Sequence, residues 1–365
     1  MARIEEITVS ELSLPLVVPY KVSRKTFASF DPIVVELRTD EGSGWGEAVI
    51  SPGYASETPE SGWAYLAEMS PRLLGRSLDE AKAMLAPTVH KDSHAASILL
   101  TACEMAERNP LLQIGEASRL SLLTPVNAMT PGPELEAEIE GWIAQGYRTL
   151  KIKVGFAVEP DLARVAAIQR IVGDRASLRL DANQGFSAED GTRFAERLEP
   201  TGIELFEQPC NKADWAANAA VAAVSTVPVM LDESIYGLHE IGRAAKVEGV
   251  GYVKLKLKKF GSLQMLDEGL AHAQSLGLRT VCGDGTATDI SCWMEAAIGL
   301  RRLKNAGENN GFLKLRRPLF TTGLPFRDGA IELPAGWWPE IDRQAVEDAT
   351  LRSTRHARTR VGAVA

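Results

Sequence analysis

The first fifty residues alternate apolar and polar positions with a period of two. Ile4 to Leu14 and Pro32 to Thr39 carry the pattern of half-buried strands, and the turn at residues 40–44 leads into Trp45-Gly46-Glu47-Ala48. That order predicts an antiparallel meander. The period then changes. Ser61 to Leu74 and Ala95 to Arg108 repeat apolar residues three and four apart, which predicts helices. Residues 1–122 are therefore expected to form an α+β capping domain.

From about residue 125 a different rhythm begins. Short apolar runs fall at Val126–Met129, Thr149–Val154, Ser177–Leu180, Ile203–Phe206, Val227–Leu231, Tyr252–Leu257, Arg279–Cys282 and Phe312–Leu315. Between them lie amphipathic stretches of helix length, such as Pro133–Gln145 and Leu162–Val172. Eight such units across residues 123–325 predict an α/β fold of the (β/α)8 barrel type. A doubly wound sheet is the competing architecture, but no strand is followed by a GxGxxG turn. Residues 326–365 return to irregular sequence and are expected to pack back on the first domain, with the tail partly disordered. The basic run Arg352 to Arg360 reads as a frayed, solvated terminus.

Composition narrows the function classes. The chain has 365 residues, 45% of them hydrophobic, enough for a large core without disulfides. A net charge of −8 argues against a nucleic-acid surface. The four cysteines (Cys103, Cys210, Cys282 and Cys292) form no CxxC pair and read as neutral thiols in a reducing compartment. The N-terminus is charged where a secretion signal needs an apolar run, and no apolar stretch approaches the roughly 18 residues of a membrane span. The expectation is a cytoplasmic, homo-oligomeric protein acting on a small molecule.

Barrel enzymes carry their chemistry at the C-terminal ends of the strands. Strand two ends in Lys151-Ile152-Lys153, and alternation turns both lysines inward. Strands three, four and five end in Asp181, Glu207 and Asp232. Three acids at one barrel mouth repel each other unless a cation lies among them, and the oxygen-only set suits Mg²⁺ before Mn²⁺ or Ca²⁺. Strand six adds Lys254 and Lys256, again inward. Strands two and six stand on opposite sides of the barrel, so Lys153 and Lys256 can flank one carbon. A carboxylate substrate bound to the metal has an acidified α-proton, which a neutral lysine can remove. Crowding by Lys151 and the metal is expected to depress the pKa of Lys153, and Lys254 and the metal that of Lys256.

As a set, these motifs resemble the enolase superfamily and, within it, the muconate-lactonizing-enzyme subgroup. The family pattern is seen in the KxK of Lys151 to Lys153, the DxN of Asp181 to Asn183, and Glu207-Gln208-Pro209. It continues in Asp232-Glu233-Ser234 and in Lys256, five residues before Gly261. The N-terminal GWGE resembles the family's capping domain. The resemblance spans the chain and implies Asp181, Glu207 and Asp232 as Mg²⁺ ligands and Lys153 with Lys256 as the acid/base pair. Lys151, Lys254, Asn183 and Asp284 would bind substrate or tune those lysines. Cap loops near Val18–Phe30 and Ser51–Ser61 would choose the substrate.

The chain also departs from the pattern. Lys254 stands where relatives often carry Asn, and Asp284 lies in the segment where many carry Glu. Lys314, Arg316 and Arg317 stand where dipeptide epimerases carry acids. His90 and His94 read as structural. The intermediate implied is an enediolate, which a racemase or epimerase reprotonates and a cycloisomerase forms by ring opening or closure. A lyase would let it expel a leaving group. Outside this class stand a Schiff-base aldolase and a metal-binding paralogue without turnover.

Overall fold

The computed structural model describes residues 2–22, 25–51 and 56–358. Its N-terminal part is a four-stranded antiparallel sheet in the order Thr350–Ala357, Ile4–Leu12, Pro32–Thr39, Ser43–Val49. The meander is as the alternation predicts. Ile4, Ile7, Val9, Ile33, Val35 and Leu37 share a core with three helices, Pro59–Leu73, Leu78–Leu85 and Ser93–Ala106. The glycines of GWGE explain how one helix lies so close. A Cβ at Gly44 would stand 2.0 Å from the Ala102 carbonyl oxygen, and one at Gly46 2.0 Å from that of Ile98. Only glycine admits that approach.

The barrel is a curled sheet of seven parallel strands, Thr124–Val126, Thr149–Lys153, Ser177–Asp181, Ile203–Glu207, Val229–Leu231, Val250–Leu255 and Arg279–Cys282. Outward residues such as Leu150, Ile152, Val253 and Leu255 pack on the surrounding helices. Inward residues stack in layers. Arg179, in register with Leu205, pairs with Glu204 at 2.8 Å. Leu205, Met230, Tyr252 and Val281 form an apolar plug. The ionisable groups of the mouth come above it.

Three expectations are corrected. The first barrel strand ends at Val126 instead of starting there. The eighth stave is not Phe312–Leu315, since Gly311–Lys314 is a 3₁₀ turn. The barrel is closed earlier, where Glu308 N donates to Cys282 O and Leu123 N donates to Gly307 O, at 3.0 Å each. Three glycines and asparagines (Gly307, Asn309, Asn310) around a single acid gave no apolar run to mark that stave. The basic tail is a strand, not a frayed end, through residue 357, because it completes the cap sheet. Arg352 pairs with Glu11 at 2.5 Å, and Arg355 with Glu6.

The substrate loops fall partly outside the described residues, at 23–24 and 52–55. Flanking them, Leu14–Val22 and Lys25–Phe30 form a hairpin whose Tyr20 and Phe27 reach the barrel mouth. The tail beyond residue 358 also lies outside the described residues. Among the described residues no helix is long and apolar enough to cross a membrane.

Candidate active site

The strand-end acids are aimed by strained turns. Asn183 and Gln184 follow Asp181 with φ of 43° and 68°, and Gln208 follows Glu207 with φ of 39°. Such values are uncommon for residues with a Cβ and persist where neighbours hold them. Gln208 supplies the hold. Its Oε1 accepts from Asp232 N at 3.0 Å and Ser234 N at 3.2 Å, and its Nε2 donates to Ser234 Oγ at 2.9 Å. The EQP and DES motifs are thus two halves of one turn assembly. The helices that follow strands three and four are capped by other side chains, Ser187 and Asp214. Asp181 and Glu207 are therefore not spent on helix capping.

They meet lysines. Lys151 Nζ lies 2.8 Å from Asp181 Oδ2, 2.9 Å from Glu207 Oε2 and 2.9 Å from Glu308 Oε1. Lys254 Nζ lies 3.2 Å from Glu207 Oε1, 3.6 Å from Asp232 Oδ2 and 2.5 Å from Glu308 Oε2. Lys153 binds Asp181 at 2.6 Å and Asn183 Oδ1 at 2.5 Å. Lys256 binds Asp232 at 2.8 Å, and Lys259 donates to the other oxygen of Asp232 at 2.8 Å. Lys153 and Lys256 line one narrow cavity of about 50 Å³ from opposite strands, with Tyr20 and His94 of the cap on its rim.

Three convergent carboxylates are the right donor chemistry for Mg²⁺, but their arrangement does not fit the ion. An ammonium group bridges Asp181 to Glu207, and a second bridges Glu207 to Asp232. Lys151 and Lys254 thus stand among Asp181, Glu207, Asp232 and Glu308, with Lys153, Lys256 and Lys259 paired to Asp181 and Asp232. Among the described residues no three acid, histidine or cysteine side chains are grouped as a metal would require.

The electrostatics follow from burial and these pairs. Burial would raise Asp181, but Lys151, Lys153 and Lys254 hold it below the usual carboxylate range. Burial and the neighbouring Asp181 push Glu207 up to about 7. Burial works against charge on Lys256, yet Asp232, Asp284 and Glu233 hold it well above the ordinary lysine value. The expected depression of Lys256 is thus reversed. The Lys254 ammonium is occupied with Glu207 and Glu308 instead of crowding Lys256.

The remaining residues sort by position. Asn183 receives Lys153 and donates to Glu233 at 3.2 Å. Asp284 pairs with Lys258, which also donates to Val49 O of the cap at 3.2 Å. Lys314 donates to Asn310 Oδ1 at 2.7 Å and lies 4.6 Å from the centre of the Tyr20 ring. Arg316 and Arg317 point away, to Leu16 O and to Asp342 with Asp348. His94, read from sequence as structural, is buried on the rim and paired with Glu57 at 2.9 Å. Glu308, Lys259 and Tyr20 were not foreseen. Lys259 sits one turn past the KLK pattern, a signal that helical spacing in KLKKF carried.

Residues 134–337, more than half of the chain, match the family described as enolase C-terminal domain-like. The chain belongs to the enolase superfamily. Its relatives there include the L-Ala-D/L-Glu epimerase of Bacillus subtilis, 29% identical over 349 residues, covering 91% of this chain and 94% of that protein. The N-succinyl-L-Arg/Lys racemase of Bacillus cereus is 28% identical over 302 residues, covering 79% and 82%. The crystal structure of the N-succinyl Arg/Lys racemase from Bacillus cereus superposes with a TM-score of 0.88 at 22% identity, covering 97% of this chain and 99% of that one. It shows the shared fold. Both named relatives are isomerases of this superfamily, and the motifs place the chain in the muconate-lactonizing-enzyme subgroup.

Proposed function

We propose that the protein racemises or epimerises the α-carbon of an N-substituted amino acid. The observation that carries this reading is the pair Lys153 and Lys256, facing one cavity from strands two and six. A 1,1-proton transfer needs one neutral amine and one ammonium on opposite faces of the carbon. Lys256, held charged by Asp232, supplies the ammonium. Lys153 breaks the α C–H bond by taking the proton, the electron pair passes into the carboxylate, and Lys256 protonates the other face. The reverse direction exchanges the roles. Asn183 orients Lys153.

Relatives acting on a dipeptide and on N-succinylated amino acids support an acylated amine on the substrate. The basic side chain of Lys314, beside Tyr20 at the cavity, disfavours a free ammonium group there. Magnesium, general in the superfamily, is not needed to account for the arrangement of the acids. The four buried, unbridged cysteines suit a cytoplasmic setting.

The test is α-proton exchange in D₂O, followed by NMR, on both enantiomers of N-acyl amino acids. Exchange with inversion is expected for at least one acyl class. Schiff-base trapping by borohydride without any exchange would instead favour the aldolase reading.

A further inference from the structure

Lys254 and Glu308 are not explained by proton transfer. Both are buried, at 2% and 5% exposure, and their side chains meet at 2.5 Å within the ring of strand-end acids. Lys254 comes from strand six, and Glu308 from the irregular stave that closes the barrel. The oxygens around the Lys254 nitrogen stand at 2.5, 3.2 and 3.6 Å. Mg²⁺ demands oxygens at about 2.0–2.1 Å in near-octahedral array. Hydrogen bonds from an ammonium group fall at about 2.7–2.9 Å. Around Lys254 one contact is short, one is ordinary and one lies beyond hydrogen-bond reach, so the oxygens are spread about an ammonium group and not drawn in to a common centre at metal-ligand distance.

Charge points the same way. Asp181, Glu207 and Asp232 alone would draw in a divalent ion. Lys254 brings a positive charge to their centre, and Glu308 offsets part of it while fixing the ammonium between two carboxylates. Lys254 also lines the cavity into which the two acid/base lysines project. Its third N–H faces Asp232 across 3.6 Å, beyond hydrogen-bond reach.

We propose that the Lys254 ammonium, clamped by Glu308, is a built-in cation that takes the place of a divalent metal at the carboxylate triad. The inference rests on the proton-transfer reading for its catalytic meaning. When the α C–H bond breaks and its electron pair moves onto the substrate carboxylate, the new negative charge meets a fixed ammonium group in a water-poor site. Preorganised charge of this kind stabilises an enediolate without a metal ion. Lys254 is tethered to the chain, so a chelator cannot remove it.

The test is Mn²⁺ uptake by the chelator-treated, desalted full-length protein, read by electron paramagnetic resonance, with no substrate present. The wild type is expected to take up no Mn²⁺ at micromolar concentrations. Lys254→Asn leaves the acids with surplus negative charge and should bind one equivalent about a hundredfold more tightly or better, since affinity follows the ligand charge count. Adding Asp232→Asn should abolish that gain. One equivalent bound by the wild type with micromolar affinity, and lost in Asp232→Asn, overturns the proposal. A folded Lys254→Asn protein that still binds none overturns it as well. If that variant does not fold, the wild-type titration decides alone. Failure of α-proton exchange with every substrate would sink the proton-transfer reading and leave the Mn²⁺ result standing.

Discussion

At the residue scale, the site is a lattice of buried charges in which each acid is held by a base. Glu308 is shared by Lys151 and Lys254. Removing one partner of a buried pair leaves an uncompensated charge, at a cost of about 3–5 kcal/mol. Glu308→Ala should therefore lower stability to urea by about that amount, and Lys254→Met in the same chain should recover much of it. Additive losses in the double mutant would show that the two residues are not coupled. Most of this lattice was legible in sequence. Alternation placed Lys151, Lys153, Lys254 and Lys256 inside the barrel, and a carboxylate at the end of each of three successive strands marked the mouth. Glu308 was not legible, because a lone acid in Gly307 to Asn310 has neither period nor apolar flanks. The charge state of Lys256 was misjudged for a related reason. Sequence shows which lysines are neighbours along a strand, but not which carboxylate each finds across the barrel.

At the element scale, buried acids join the cap to the barrel by capping helices. Glu47 of the GWGE strand accepts from Thr288 N at 2.9 Å, Thr288 Oγ1 at 3.0 Å and Ser291 N at 3.3 Å, at the start of the helix Asp289–Arg302. Glu104 of the cap helix accepts from Leu263 N at 2.8 Å, at the start of Leu263–Ser275. Glu47→Ala leaves buried N–H groups without a partner, each costing about 1–3 kcal/mol. The loss should appear in thermal unfolding, and faster amide exchange should follow at residues 288–291. Unchanged exchange there would mean that the carboxylate does not hold the junction. The strands and helices themselves were read well where the pattern was long. Six of the apolar barrel runs are strands and the first is displaced to Thr124–Val126, whereas the run Phe312–Leu315 is no strand because those apolar residues serve a 3₁₀ turn packed on the core.

At the scale of the whole molecule, stability should depend on pH in a direction set by buried acids whose pKa is raised, three of them outside the mouth. Burial pushes Glu104, Asp289 and Glu295 each up to about 7. In the unfolded chain they lose their protons in the ordinary carboxylate range, so folding binds protons between that range and about pH 7. Their stabilising share is present in full at low pH and is lost as the pH rises through about 7. The melting temperature should fall by several degrees from pH 5.5 to 8, since 1 kcal/mol is worth about 2–4 °C in a domain of about 150–250 residues and somewhat less in a longer chain. Glu104→Gln should flatten part of that slope. A melting temperature that rises over the same interval would contradict the assignment.

The proposed function requires Lys153 and Lys256, which line one cavity, to reach opposite faces of one carbon. That claim is tested most directly by stereospecific exchange. In D₂O, with separate enantiomers of an active N-acyl amino acid, Lys153→Ala should stop α-proton exchange from one enantiomer, and Lys256→Ala from the other. Each loss should be at least about 10²-fold, the usual contribution of a positioned acid or base. Full exchange of both enantiomers by both variants would contradict the account.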